Sequence, residues 1–170
     1  MNIATSVSVE QVYDWLKSVT DPEVPVLTIL DLGIVRDVRV HGHADGTPDV
    51  TVVITPTYSG CPAMDVIGIN IRMALLSHGI KHMHVEMQLK PAWTTDWMTE
   101  EGKRKLKEYG IAPPKRTAAD DLDLFQDDVI ACPRCHSTDT ELVSRFGATS
   151  CKSLYKCNAC KEPFEHFKCH

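Results

Sequence analysis

The sequence predicts an α+β chain: a small two-layer α/β sandwich over residues 1–111, an acidic linker over 112–129, and a four-cysteine, zinc-ribbon-like metal-binding module over 130–170. Three observations carry that prediction. Before residue 111 the hydrophobic periods run helix, strand, strand, helix, strand, which suits helices layered on a sheet. Cysteine is unevenly placed: Cys61 stands alone in the first 130 residues, and the other six follow. Between the regions, the prolines of Ile111-Ala-Pro-Pro-Lys-Arg stop a helix, and Asp120, Asp121, Asp123, Asp127 and Asp128 make a solvated acidic stretch.

The elements follow in order. Ser8 and Gln11 have capping-box spacing, and Val9, Val12, Tyr13, Leu16 and Val19 share one helical face. That helix ends before Asp21-Pro22, because a residue preceding proline avoids the α region. Residues 34–40 and 50–54 are β-branched and partly alternating, with turn chemistry over 41–48, so they form an antiparallel hairpin. Pro62 suits a first helical position. From it a second helix runs towards Gly79, with Met64, Ile67, Ile71, Ala74 and Leu75 as its buried stripe. Val85, Met87 and Leu89 alternate as a third strand, and a short charged helix over 99–109 stops at Gly110. In the tail, strands at 140–146, 153–156 and 163–168 present Phe146, Tyr155, Phe164 and Phe167 as a small apolar face.

Composition excludes several classes. A formal charge of −5 opposes broad electrostatic binding to nucleic acid. No apolar run approaches the ~20 residues that cross a bilayer, and the polar start of the chain is no secretion signal. Seven cysteines without such a signal fit a cytoplasmic metal-binding protein better than a disulfide framework.

Two sites of chemistry stand out. Cys132-Pro-Arg-Cys135 and Cys157-Asn-Ala-Cys160 each let one backbone turn aim two thiolates at a single ion, and together they complete a tetrahedral four-sulfur site. Zinc and iron both accept four thiolates. The closed two-knuckle form favours structural zinc, with an iron–sulfur cluster as the alternative. Cys151, Cys169 and His170, with His166, are left over as either a second ligand set or packed and exposed side chains. The second site is the turn at Cys61, where a helix amino terminus favours thiolate. If the loop Asp21-Pro-Glu-Val-Pro packs beside it, Asp21, Glu23, Thr55, Thr57 and Cys61 form one polar cleft. The residues alone leave Cys61 open between a working thiol and a small buried residue, and for the loop they favour the plainer account, Asp21 as a helix stop and Glu23 as a solvated acid. No histidine lies in either loop, which disfavours a Ser/His/Asp hydrolase. His82 and His84 share a strand face, but two histidines without a third ligand read as solvent-facing.

The motifs Asp21-Pro-Glu-Val-Pro, Ile29-Leu-Asp-Leu-Gly-Ile-Val35 and Thr55-Pro-Thr-Tyr-Ser-Gly-Cys-Pro-Ala-Met-Asp65 resemble the MIP18-type (DUF59) family, whose members act in maturing iron–sulfur proteins. Phe146-Gly-Ala-Thr-Ser-Cys-Lys152, Tyr155-Lys-Cys and Glu162-Pro-Phe164 resemble the branch of that family attached to bacterial phenylacetate degradation. The resemblance implies an α/β domain whose cleft of Asp21, Glu23, Thr55, Thr57 and Cys61 is the working site, with no catalytic residues assigned. It also implies a role beside a phenylacetyl-CoA 1,2-epoxidase, a multicomponent diiron oxygenase. The chain lacks the paired Glu-x-x-His motifs of a diiron subunit. It lacks the dinucleotide fingerprint and ferredoxin cysteine spacing of a reductase as well. What the resemblance leaves is a non-enzymatic accessory protein that assists iron–sulfur assembly or insertion into the reductase component. The alternative is a non-catalytic structural or bridging subunit. The implied partner is that iron–sulfur client; a homo-oligomer is compatible with the sequence.

Overall fold

The computed structural model describes residues 7–114 and 129–168. They fall into two compact units, Met1–Trp93 and Thr94–His170.

In the first unit, α1 (Val9–Leu16) starts at a complete capping box, the Ser8 amide donating to Gln11 Oε1 at 2.9 Å and the Gln11 amide to Ser8 Oγ at 3.2 Å. Val12 and Leu16 are buried along its inner face, as is Val19 just past its end. β1 (Val35–Gly42) and β2 (Pro48–Ile54) pair antiparallel, with an irregularity between Val35 and Asp37. β3 (His82–Met87) lies parallel to β2, so the sheet order is β1-β2-β3. A parallel neighbour needs a crossover, and α2 (Ala63–Ser77) supplies it. Val50, Val52 and Ile54 alternate into the core from the central strand, opposite Met64, Ile67, Ile71 and Leu75 of α2. The same period turns Arg39, His41, Asp49, Thr51, His82, His84 and Glu86 to the other face of the sheet. Val85 is half-buried, but Met87 and Leu89 are exposed; β3 is a sheet edge, and its alternation carries less burial than the pattern suggests.

The second unit opens with a 3-10 turn at Thr95–Trp97 and α3 (Glu100–Tyr109). Thr99 Oγ1 caps α3 by accepting from the Gly102 amide at 2.9 Å, and Gly110 ends it at φ +94°, a conformation open to glycine. β4 (Ile111–Ala112), β5 (Thr140–Ser144), β6 (Lys152–Cys157) and β7 (Pro163–Phe167) form a sheet in the order β4-β7-β6-β5. β4 runs parallel to β7, with Ile111 opposite Glu165 and Ala112 opposite His166. That pairing is why the charged helix and Ile111, which the sequence pattern assigns to the first module, group with the second unit, as does Ala112 from the start of the expected linker. Most of that linker, residues 115–128, lies outside the described residues. Around the cysteines the ribbon gathers a small apolar cluster of Ala112, Ile130, Cys132, Cys157 and Phe164, with Tyr155 and Cys160 packed against it, and Ile111, Cys151 and Phe167 are buried besides. Phe146, expected on this face, is instead 61% exposed, with the Lys168 ammonium 4.4 Å over its ring. Among the described residues no helix is long and apolar enough to cross a membrane.

Candidate metal centre and cysteine cleft

The two knuckles converge as their spacing requires. Cys132 Sγ lies 3.8 Å from Cys160 Sγ, and Cys135 Sγ lies 3.5 Å from Cys157 Sγ. All four sulfurs fall within 4.8 Å of one another. Tetrahedral zinc–sulfur bonds of about 2.3 Å put sulfurs about 3.8 Å apart, so the cage fits a four-coordinate ion. Both knuckles end on a left-handed residue that is not glycine, His136 at φ 62° and Lys161 at φ 65°. Such backbone costs on the order of 1 kcal/mol per residue and repeats only where something over-determines it.

The cage's charge also calls for a cation. The Cys160 amide points at Cys157 Sγ from 3.5 Å and leads the contacts that hold the Cys157 thiol down to about 7. At Cys160 a backbone bond with Glu162 pulls downward, but desolvation and the three neighbouring sulfurs outweigh it and push the thiol up to about 12. One thiolate forms readily and its neighbours then hold their protons; a metal ion removes that conflict.

Cys151 stands apart from the quartet, buried, with Thr149 Oγ1 at 3.1 Å from its sulfur. Cys169 and His170, the other candidates for a second ligand set, lie outside the described residues. His166 is buried beside Ser153.

Cys61 occupies the turn between β2 and α2. Gly60 takes φ +78°, the Cys61 amide donates to the Tyr58 carbonyl at 3.3 Å, and the Cys61 carbonyl accepts from the Met64 amide at 3.3 Å. The acidic loop folds on itself: Asp21 Oδ1 accepts from the Glu23 and Val24 amides at 2.8 and 2.7 Å. Asp21 therefore has a structural role in its own loop. The carboxylates of Asp21 and Glu23 also act electrostatically on Cys61. Burial pushes the Cys61 thiol up; hydrogen bonds with Ala63 and Tyr58 oppose this, and the charges of Glu23 and Asp21 add to it. A helix terminus alone favours thiolate; in the structure desolvation and two acids outweigh it. Thr55 is 1% exposed, and its Oγ1 is buried with no hydrogen-bond partner among the described residues. Thr57 is half-buried on the same segment.

A further potential ligand group has no signature in the sequence. His43, Asp45 and His82 offer three ligand atoms within 4.8 Å of one another. The 37 residues separating Asp45 from His82 give no motif; only the β2–β3 pairing brings them together.

Comparison with known proteins bears on both units. Residues 9–86 match the iron–sulfur cluster assembly protein family, and residues 116–168 match the PaaD zinc beta ribbon domain. Over 95% of its length the chain is 45% identical to an Escherichia coli K12 protein named as one of the subunits of a 1,2-phenylacetyl-CoA epoxidase, covering 93% of it. It is 39% identical, over 57% of its length, to 89% of an Fe-S protein maturation auxiliary factor of Porphyromonas gingivalis. Among solved structures, a DUF59 domain of unknown function from Bacillus anthracis superposes with a TM-score of 0.51 at 25% identity, over 57% of this chain and 89% of that one.

Proposed function

The chain belongs to the PaaD family, with an iron–sulfur cluster assembly domain ahead of a zinc β-ribbon, and on that premise we propose that it is a non-enzymatic maturation factor. It serves a phenylacetyl-CoA 1,2-epoxidase in the cytoplasm, by helping to load the iron–sulfur cluster of the reductase component. The observation that carries this reading is the desolvated Cys61 thiol, with the Glu23 and Asp21 carboxylates near enough to act on it. A nucleophilic cysteine needs a depressed pKa, whereas this thiol is pushed up by burial, with two carboxylates adding to the shift. Such a site is a poor nucleophile and a good cation binder. An iron ion or cluster arriving as cargo exchanges for the Cys61 proton, and Glu23 and Asp21 balance its charge. The unsatisfied Thr55 hydroxyl offers a further polar contact. No similar exchange is expected in the ribbon, whose four sulfurs close the coordination shell of a structural zinc ion.

In cells producing the Cys61→Ser chain, we expect normal amounts of a folded protein but less iron and sulfide per reductase molecule. Full cluster loading in that strain would overturn the role of Cys61. A second reading, a structural or bridging subunit of the oxygenase, is favoured by one observation. Val66, Ile69, Met73 and Leu76 form an exposed apolar stripe along α2, at spacings that suit a packing helix. Stable co-purification with the oxygenase subunits, with cluster content independent of this chain, would select it.

A further inference from the structure

At the far end of the first unit's sheet, the loop between β1 and β2 folds back over the start of β3. The turn is tight: the His43 amide donates to the Thr47 carbonyl at 2.8 Å, the Gly46 amide to the His43 carbonyl at 2.9 Å, and Gly46 takes φ +80°. It sets His43 Nδ1 3.1 Å from Asp45 Oδ1, while His82 Nε2 reaches across from β3 to Asp45 Oδ2 at 3.0 Å. The two imidazoles stack, with centroids 3.6 Å apart and planes 7° from parallel. We propose that His43, Asp45 and His82 are a binding site for a divalent transition-metal ion, distinct from both the four-cysteine cage and the Cys61 cleft.

A clip holding the loop to the strand would need one histidine. Here two rings bring their bonding nitrogens to one carboxylate, and the three ligand atoms lie within 4.8 Å of one another. Bonds of about 2.1 Å to one ion put neighbouring ligand atoms about 3 Å apart in six-coordination and about 3.4 Å apart in a tetrahedron, so the hydrogen-bonded group needs only a small adjustment to close on an ion. The carboxylate is already oriented, since Oδ1 accepts from the Thr47 amide at 2.9 Å and from Thr47 Oγ1 at 2.6 Å. Hydrogen bonding of a ligating carboxylate by neighbours is the usual support of a metal site. Asp49, opposite His82 in register, adds negative charge nearby, its Oδ1 buried without a hydrogen-bond partner and 3.7 Å from the His84 ring. The side chains of His43, Asp45 and His82 are 38%, 50% and 33% exposed, which leaves room for water on the remaining positions. Two imidazoles and one carboxylate with open positions suit Zn²⁺, Ni²⁺, Co²⁺ or Fe²⁺ rather than Ca²⁺ or Mg²⁺. On binding, one ring turns out of the stack so that both ring planes contain the ion; each neutral imidazole then coordinates through the nitrogen that faces Asp45 and carries its proton on the other, so no redox step is involved. The site sits where β2 and β3 begin and Cys61 follows the end of β2, so the strand's length, roughly 20 Å, separates them.

The test uses the full chain with its cysteine cage saturated with zinc, titrated with Ni²⁺ near neutral pH by calorimetry. Ni²⁺ is air-stable and stands above Fe²⁺ in affinity for such sites. With the Cys61 cleft removed as a competitor by Cys61→Ser, one Ni²⁺ per chain should bind, and adding His82→Ala or Asp45→Asn should weaken it at least about tenfold. Should His82→Ala disturb β3, His43→Gln in the loop reads the same ligand set. In the unaltered chain with diamagnetic Zn²⁺ as the titrant, the ring nitrogen resonances of His43 and His82 should shift while those of His41 stay. No Ni²⁺ bound by the Cys61→Ser chain beyond its zinc-filled cage, or equal binding with and without the His82 and Asp45 substitutions, would overturn the site.

Discussion

The two units of this chain are held by different physics. The first buries Leu16, Leu27, Ile29, Ile54, Ile67, Ile71 and Leu75 almost completely between helices and a three-stranded sheet, an apolar core that needs no ion. The ribbon of the second gathers Ala112, Ile130, Phe164 and two cysteine ligands around its centre. Even with Ile111, Cys151 and Phe167 counted, this apolar core is smaller than the first unit's, and the charge conflict of four close sulfurs works against it until a cation arrives. The lesson lies in the placement of chemistry. The self-supporting unit can keep a desolvated, acid-flanked cysteine for use, whereas the ribbon commits its cysteines to being folded.

The sharpest way to break that contrast is Cys157→Ser. Structural zinc contributes on the order of 10 kcal/mol to comparable small folds, so the ribbon should lose both its metal and its cooperative unfolding. Zinc content per chain and calorimetry should show this while the first unit's transition keeps its midpoint. Next in size, Leu16→Ala or Ile67→Ala should cost about 2–5 kcal/mol, read as a lowered first-unit transition with zinc content unchanged. Lys152→Met tests whether the ribbon leans on anything besides its ion. The Lys152 side chain is 6% exposed and its ammonium lies 2.8 Å from Glu165, whose side chain is 26% exposed. Its loss should cost about 2 kcal/mol, read as weakened chelator resistance rather than loss of zinc stoichiometry. Thr99→Ala, which removes the α3 cap, should cost about 1 kcal/mol by denaturant unfolding. Smallest of all, Cys61→Ser should shift stability by less than about 0.5 kcal/mol while cluster loading of the client falls.

Much of the fold is legible in the sequence because local rules decide it. Ser8 and Gln11 write the first helix's start, the Cys-x-x-Cys turns write the metal cage, and the β-branched run at 50–54 writes the central strand. Long-range choices are not written locally. Ile111 looks like the end of one module and Ala112 like the start of a linker, but the edge of β7 recruits both into the other sheet. Phe146 reads as core, yet it lies beyond β5 and turns to Lys168. At Cys61 the residues of the cleft are nameable, but the sign of the thiol's shift is not. A helix terminus argues one way; burial with Glu23 and Asp21 argues the other, and only three-dimensional packing weighs them. The His43–Asp45–His82 group is invisible for the same reason, since a parallel strand pairing assembles it.

Residue-resolved amide hydrogen exchange on the full chain, with and without a strong chelator, tests the central contrast most directly. Metal removal should erase protection in β5, β6 and β7 while α1, α2 and β2 keep theirs within a factor of about two. Protection retained across the ribbon without metal, or lost equally in both units, would contradict it.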